Sequence, residues 1–105
     1  MTSEEIRQIC LSAIDHFGVA HQKQKSVEEM GELIVELTRE QDDRTDAGHI
    51  QEEIADVIVM AEQLRIIYGG SLVDEQIERK LDRLLDRIRS DRRTRRTDGK
   101  VPSLQ

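Results

Sequence analysis

The only proline in this chain is Pro102, close to the C-terminus, so glycine alone can interrupt a helix over nearly the whole length. A backbone without proline keeps every amide donor available to an i→i−4 ladder. Glu, Arg, Leu, Gln, Ala and Lys, all strong helix formers, dominate the remaining positions, and Phe17 and Tyr68 are the only aromatic residues. Aliphatic side chains must therefore fill whatever core exists, and the expected fold class is all-α. At 105 residues the chain is read as one domain, and a bundle of this size buries little apolar area, so homo-oligomerisation is an expected supplement.

Hydrophobic spacing divides the chain into four helical segments. Ile6, Ile9, Cys10, Ala13, Ile14 and Phe17 recur at helical intervals, which predicts a first helix from about Ser3 to Phe17 ending at Gly18. The polar stretch from Gly18 to Lys25 reads as a connection. Ser26 with Glu29 forms a capping-box pair, so the second helix is expected to open there, with Val27, Met30, Leu33, Ile34 and Leu37 as its apolar stripe. Glu40 to Gly48 is a polar loop. The third helix is expected from about His49 to Tyr68, closed by Gly69 and Gly70. Ser71 and Asp74 form another capping pair, and Val73, Ile77, Leu81, Leu84, Leu85 and Ile88 make the apolar face of a fourth helix. Residues 1–90 are thus read as a four-helix bundle, and 91–105 as a mobile basic tail.

Charge is unevenly distributed beneath a net value of −6. Between Ser26 and Glu62 twelve acidic residues face only Arg39 and Arg44, whereas Arg92, Arg93, Arg95, Arg96 and Lys100 load the end with positive charge. Such a layout suits a site that collects cations first and a polyanion second. The N-terminus has no basic start followed by an apolar run, and no stretch is apolar enough to span a bilayer. A cytoplasmic protein without membrane association is the expectation. Cys10 is the single cysteine. Without a partner it forms no internal disulfide, and its apolar helical face marks it as an inert core thiol rather than a nucleophile.

The third helix carries the chemistry. Advancing 100° per residue puts Glu53 and Asp56 among Met60, Leu64 and Ile67, with Ala55, Val59 and Ile66 on the other side. The helix is apolar nearly all round and should be central. Two carboxylates there are costly unless something positive accompanies them, and no Lys or Arg of that helix stands one turn from both. On the second helix Glu29 and Glu32 share a face three residues apart. If the two helices pack antiparallel, four carboxylates face one another without a resident cation. Oxygen donors alone, with no His or Cys at matching spacing, call for Mg²⁺, or Mn²⁺, rather than Zn²⁺. Glu28, Glu36, Glu40 and Glu62 read instead as solvated helix surface. His21 and His49 flank the motifs without a partner at ligand spacing and read as surface or helix-end residues.

At these positions the chain resembles the MazG-like, all-α nucleoside triphosphate pyrophosphohydrolases. Their signature, Glu-Glu-x-x-Glu followed by Glu-x-x-Asp, appears as Glu28-Glu29-Met30-Gly31-Glu32 and Glu53-Ile54-Ala55-Asp56. The flanks are similar as well, in Gln22 and Lys25 and in Lys80-Leu81-Asp82-Arg83-Leu84, and the likeness runs from about Phe17 to Ile88. The resemblance implies the all-α pyrophosphatase type of four-helix bundle, completed as a homodimer or homotetramer whose nucleotide pocket forms between subunits. It implies Mg²⁺ held by Glu29, Glu32, Glu53 and Asp56, and a water polarised by Glu32 with Glu28 assisting. Lys80, Arg83, Gln22 and Lys25 would approach phosphates or base. The implied reaction is hydrolysis of a nucleoside triphosphate at the α-phosphorus to monophosphate and pyrophosphate. Phosphoribosyl-ATP pyrophosphohydrolase shares this fold and a similar motif and is one alternative. A helical interaction module with a nucleic-acid-binding basic tail is another, disfavoured because the chain is acidic and offers no aromatic platform for bases.

Overall fold

A computed structural model describes the backbone of residues 1–97 and the side chains through Thr94. All secondary structure among these residues is helical: α1 (Ser3–Phe17), α2 (Val19–Glu40), α3 (Ala47–Ile67) and α4 (Gly70–Thr97). No helix among them is long and apolar enough to cross a membrane. The chain divides into two compact units, Met1–Gly70 with the first three helices and Ser71–Gln105 with α4.

Local chemistry accounts for the ends of the first three helices. Thr2 caps α1, its hydroxyl oxygen accepting from the Glu5 amide at 3.1 Å, an arrangement worth about 1 kcal/mol. Gly18 follows with φ +93°, where its amide still donates to the Ile14 carbonyl at 2.8 Å. A side chain rarely tolerates that backbone, which is why glycine sits at the break. Asp46 caps α3 by accepting from the His49 amide at 3.0 Å. Beyond Ile67, Gly69 again takes positive φ, at +87°.

Two element boundaries differ from expectation. The stretch Gly18 to Lys25 is not a connection: Gly18 alone separates α1 from α2, which is helical from Val19. Ser26 consequently lies inside α2, buried, with its hydroxyl donating to the Gln22 carbonyl at 2.8 Å. Polar composition suggested a loop, but a solvated helix face has the same composition, and of the polar residues in this stretch only Gln22 is buried. At the other end α4 continues through Thr97, so the first part of the expected tail, Asp91 to Thr97, is helical. Residues 98–105 of that tail lie outside the described residues.

Within Met1–Gly70, α2 and α3 form the principal pair and α1 packs against both. The pair is antiparallel, as expected: Gln22 meets Gln63 while Glu29, seven positions on, meets Asp56, seven positions back. The face of α2 turned inward is Gln22, Ser26, Glu29, Leu33 and Glu36, every one buried or half-buried. The expected stripe is mostly outside: Val27, Met30, Ile34 and Leu37 are exposed, leaving only Leu33 half-buried. On α3, Met60 is buried and Leu64, Ile66 and Ile67 are half-buried, but Ala55, Ile58 and Val59 are exposed. The third helix is thus covered on one side of its unit, not all round. Among the described residues Cys10, Ile50 and Met60 are the only buried apolar side chains.

Candidate functional site

The polar seam between α2 and α3 has two parts. Toward the N-terminal end of α2, Gln22 donates from Nε2 to Gln63 Oε1 at 2.7 Å, and both residues are buried. The Gln22 Oε1 is satisfied in turn by His21 Nδ1 at 2.7 Å. Gln63 also reaches the Met60 sulfur at 3.6 Å. Expected as a substrate contact, Gln22 is committed to this interhelical bond. The sequence does not single out Gln63, because a glutamine within an apolar helix has no periodic signature. The one available signal was its place, a turn beyond Met60 on the same face.

One helical heptad along, the seam turns acidic. Glu29 from α2 and Glu53 and Asp56 from α3 offer carboxylate oxygens that all lie within 4.8 Å of one another. Glu29 is buried at 8 % exposure, Glu53 is half-buried and Asp56 lies at the exposed edge. Glu29 Oε2 and Glu53 Oε2 are shut away from solvent with no hydrogen-bond partner. Orphaned acceptors of this kind cost on the order of 1–3 kcal/mol each, more when charged. An arrangement that stability alone does not explain is a candidate site.

Electrostatics follow the geometry. Burial pushes the Glu53 carboxyl above its ordinary pKa, reinforced by the charges of Glu32, Asp56 and Glu29 and by a hydrogen-bonding contact with Glu32. Asp56 is raised too, first by desolvation and then by the nearby charge of Glu29. Both shifts reflect like charges packed with little water, and both favour proton or metal binding. Glu32, grouped by the motif with the other three carboxylates, is exposed and stands beside Glu53 rather than among the three converging oxygens.

The expectation of a site without a resident cation needs correction. Lys25 Nζ lies 3.2 Å from Glu29 Oε1 and 3.9 Å from Glu28 Oε2. The Glu29 hydrogen bond and charge raise the lysine pKa, so its ammonium is held in the charged form. The sequence concealed this contact because Lys25 was assigned to a connection, where the i,i+4 relation to Glu29 does not arise. Glu28 is exposed and engaged only at the longer distance. Lys80 and Arg83 are exposed positions of α4, in the unit that starts at Ser71.

The remaining residues singled out by sequence fall elsewhere. Cys10 is buried and unpaired, and burial raises its thiol pKa, as an inert core thiol requires. His21 is exposed and stacks on Phe17, with ring centroids 5.3 Å apart. His49 sits in the first turn of α3, its ring 3.2 Å from Asp46. Glu36 is half-buried rather than solvated, held by Arg39 at 3.1 Å and by the Thr45 hydroxyl. No family model, curated protein or solved structure matches the chain.

Proposed function

We propose that this chain is a Mg²⁺-dependent nucleotide pyrophosphohydrolase, cleaving a (deoxy)nucleoside triphosphate to monophosphate and pyrophosphate. The observation that carries the reading is the convergence of Glu29, Glu53 and Asp56 from two antiparallel helices, with two carboxylate oxygens buried and unpartnered. The motif pair that resembles the MazG-like enzymes supports it independently, because the converging residues are three of the four that the resemblance nominates.

The donor set fits the ion. Hard oxygen ligands without His or Cys suit Mg²⁺ or Mn²⁺, and the orphaned oxygens of Glu29 and Glu53 need a positive partner. Glu29, Glu53 and Asp56 would hold the cation, joined by Glu32 from the edge. Bound Mg²⁺ would neutralise phosphate charge and make water nucleophilic at neutral pH. Glu32, exposed beside Glu53, accepts the proton of the water whose oxygen attacks the α-phosphorus. The bridging phosphorus–oxygen bond then breaks and pyrophosphate leaves. Glu28, one residue from the ligand Glu29, orients that water. Gln22 serves the helix pair rather than the base. The active assembly is a homo-oligomer that covers the exposed Val27, Ile34, Ile58 and Val59.

Pyrophosphate release from a panel of common ribo- and deoxyribonucleoside triphosphates, plus phosphoribosyl-ATP, tests the reading. Release with Mg²⁺, none with EDTA, and monophosphate as co-product are expected. A panel that stays silent, with no Mg²⁺ binding by calorimetry, would overturn it.

A further inference from the structure

We infer that Lys25 is a built-in counter-ion that competes with the divalent cation for Glu29 and so sets the cation concentration at which the site fills. The inference rests on the metal-site reading above and goes beyond it by giving this lysine a role in the cation-free protein. Glu29 is the most buried of the converging carboxylates, with its side chain 10 % exposed, and the Lys25 ammonium is 3.2 Å from its Oε1. The lysine itself is nearly half exposed, at 47 %, so its head can leave for solvent without unpacking the interface. The contact is a helical i,i+4 pair, made within one helix and broken by side-chain rotation alone.

Charge decides the direction of the effect. Without a cation, Lys25 offsets part of the repulsion among Glu29, Glu53 and Asp56. Once a doubly charged ion occupies the site, the same ammonium is a like charge at its border. Attraction to Glu29 gives way to repulsion, and the freed lysine stands beside the site with its three donors available to an anion. A neighbouring charge at this range changes a carboxylate's affinity for a proton by roughly tenfold or more. A cation answering to the same oxygens should feel a comparable change, reduced by the solvent around the lysine.

The test is Mg²⁺ titration by calorimetry of the full chain and of Lys25→Met, Lys25→Arg and Lys23→Met, each checked for helicity by circular dichroism. Lys23 is the control, a lysine of the same helix whose ammonium lies over the Tyr68 ring at 4.7 Å. The expectation is that Lys25→Met binds Mg²⁺ about tenfold more tightly, while Lys25→Arg and Lys23→Met match the parent. The cation-free Lys25→Met protein should melt at a lower temperature than the parent, and that deficit should vanish at saturating Mg²⁺. Binding by Lys25→Met that equals the parent's would sink the counter-ion role and leave the metal site standing. Weaker binding would also sink it, and would make Lys25 a positioning residue that aims Glu29. Absence of Mg²⁺ binding in every variant would remove the metal-site reading and this inference together.

Discussion

Three carboxylates held in each other's company define this molecule at the scale of single residues, and their behaviour can be checked by substitution. Glu53→Gln or Asp56→Asn removes a charge that its neighbours oppose. Without metal these variants should be as stable as the parent or more so in urea unfolding, while losing Mg²⁺ binding and turnover. A large loss of stability would mean that the carboxylates are structural. The pH response follows from the same shifts. A carboxyl with a pKa higher folded than unfolded binds its proton more tightly when folded. The stability that Glu53 and Asp56 gain from protonation is complete below their unfolded values and disappears as pH rises through their folded ones. Asp46, lowered by the His49 amide, has the opposite sign: its contribution is present above the unfolded carboxylate value and fades as pH falls through the folded one. Metal-free protein should therefore melt at increasing temperature as pH is lowered from neutrality toward the ordinary carboxylate range. A flat or falling profile across that interval, by differential scanning calorimetry, would contradict the raised values. Saturating Mg²⁺ should reverse the slope, because protons and cation compete for the same oxygens.

At the scale of helices, the α2–α3 pair meets through facing carboxylates, as expected, and also through the Gln22–Gln63 amide pair, which the apolar stripe of the second helix does not foretell. Gln22 and Gln63 satisfy one another in a buried position, and removing either leaves an unpaired amide. Gln63→Ala should cost roughly 1–3 kcal/mol in urea unfolding. The double replacement Gln22→Leu with Gln63→Leu should cost far less than the sum of the two single changes, since no amide is then left behind. Additive losses would show that the two residues are independent. The pair also explains why α2 starts ahead of its capping-box residues. Polar residues in the first two turns of α2 look like loop composition when counted, but they are helical: Gln22 turns into the interface, and His21, Lys23, Gln24 and Lys25 are exposed. Ser26 and Glu29 do look like a capping box, and the same three-residue spacing equally puts both on one inner face.

At the scale of the whole molecule, the balance of apolar surface is the outstanding fact. Three buried apolar side chains among the described residues make a small core, while Val27, Ile34, Ile58 and Leu81 each remain more than half exposed. These aliphatics are the surface that the proposed homo-oligomer would cover. Sedimentation equilibrium should return a mass that is a multiple of one chain, and Ile34→Asp should shift it downward with loss of thermal stability. A monomer of unchanged stability would leave the apolar stripe of α2 unexplained. The all-helical class, the first helix, and the shared faces of Glu29 with Glu32 and of Glu53 with Asp56 were legible in the sequence alone. Each depends on period and spacing, which are properties of a single helix. Only the tertiary structure decided which face of α2 turns inward, that Gln63 closes the seam, that Glu32 stands outside the converging oxygens, and that Lys25 already holds Glu29. Those depend on the rotation of one helix against another, and a periodic pattern with both an apolar and an acidic face leaves that rotation open.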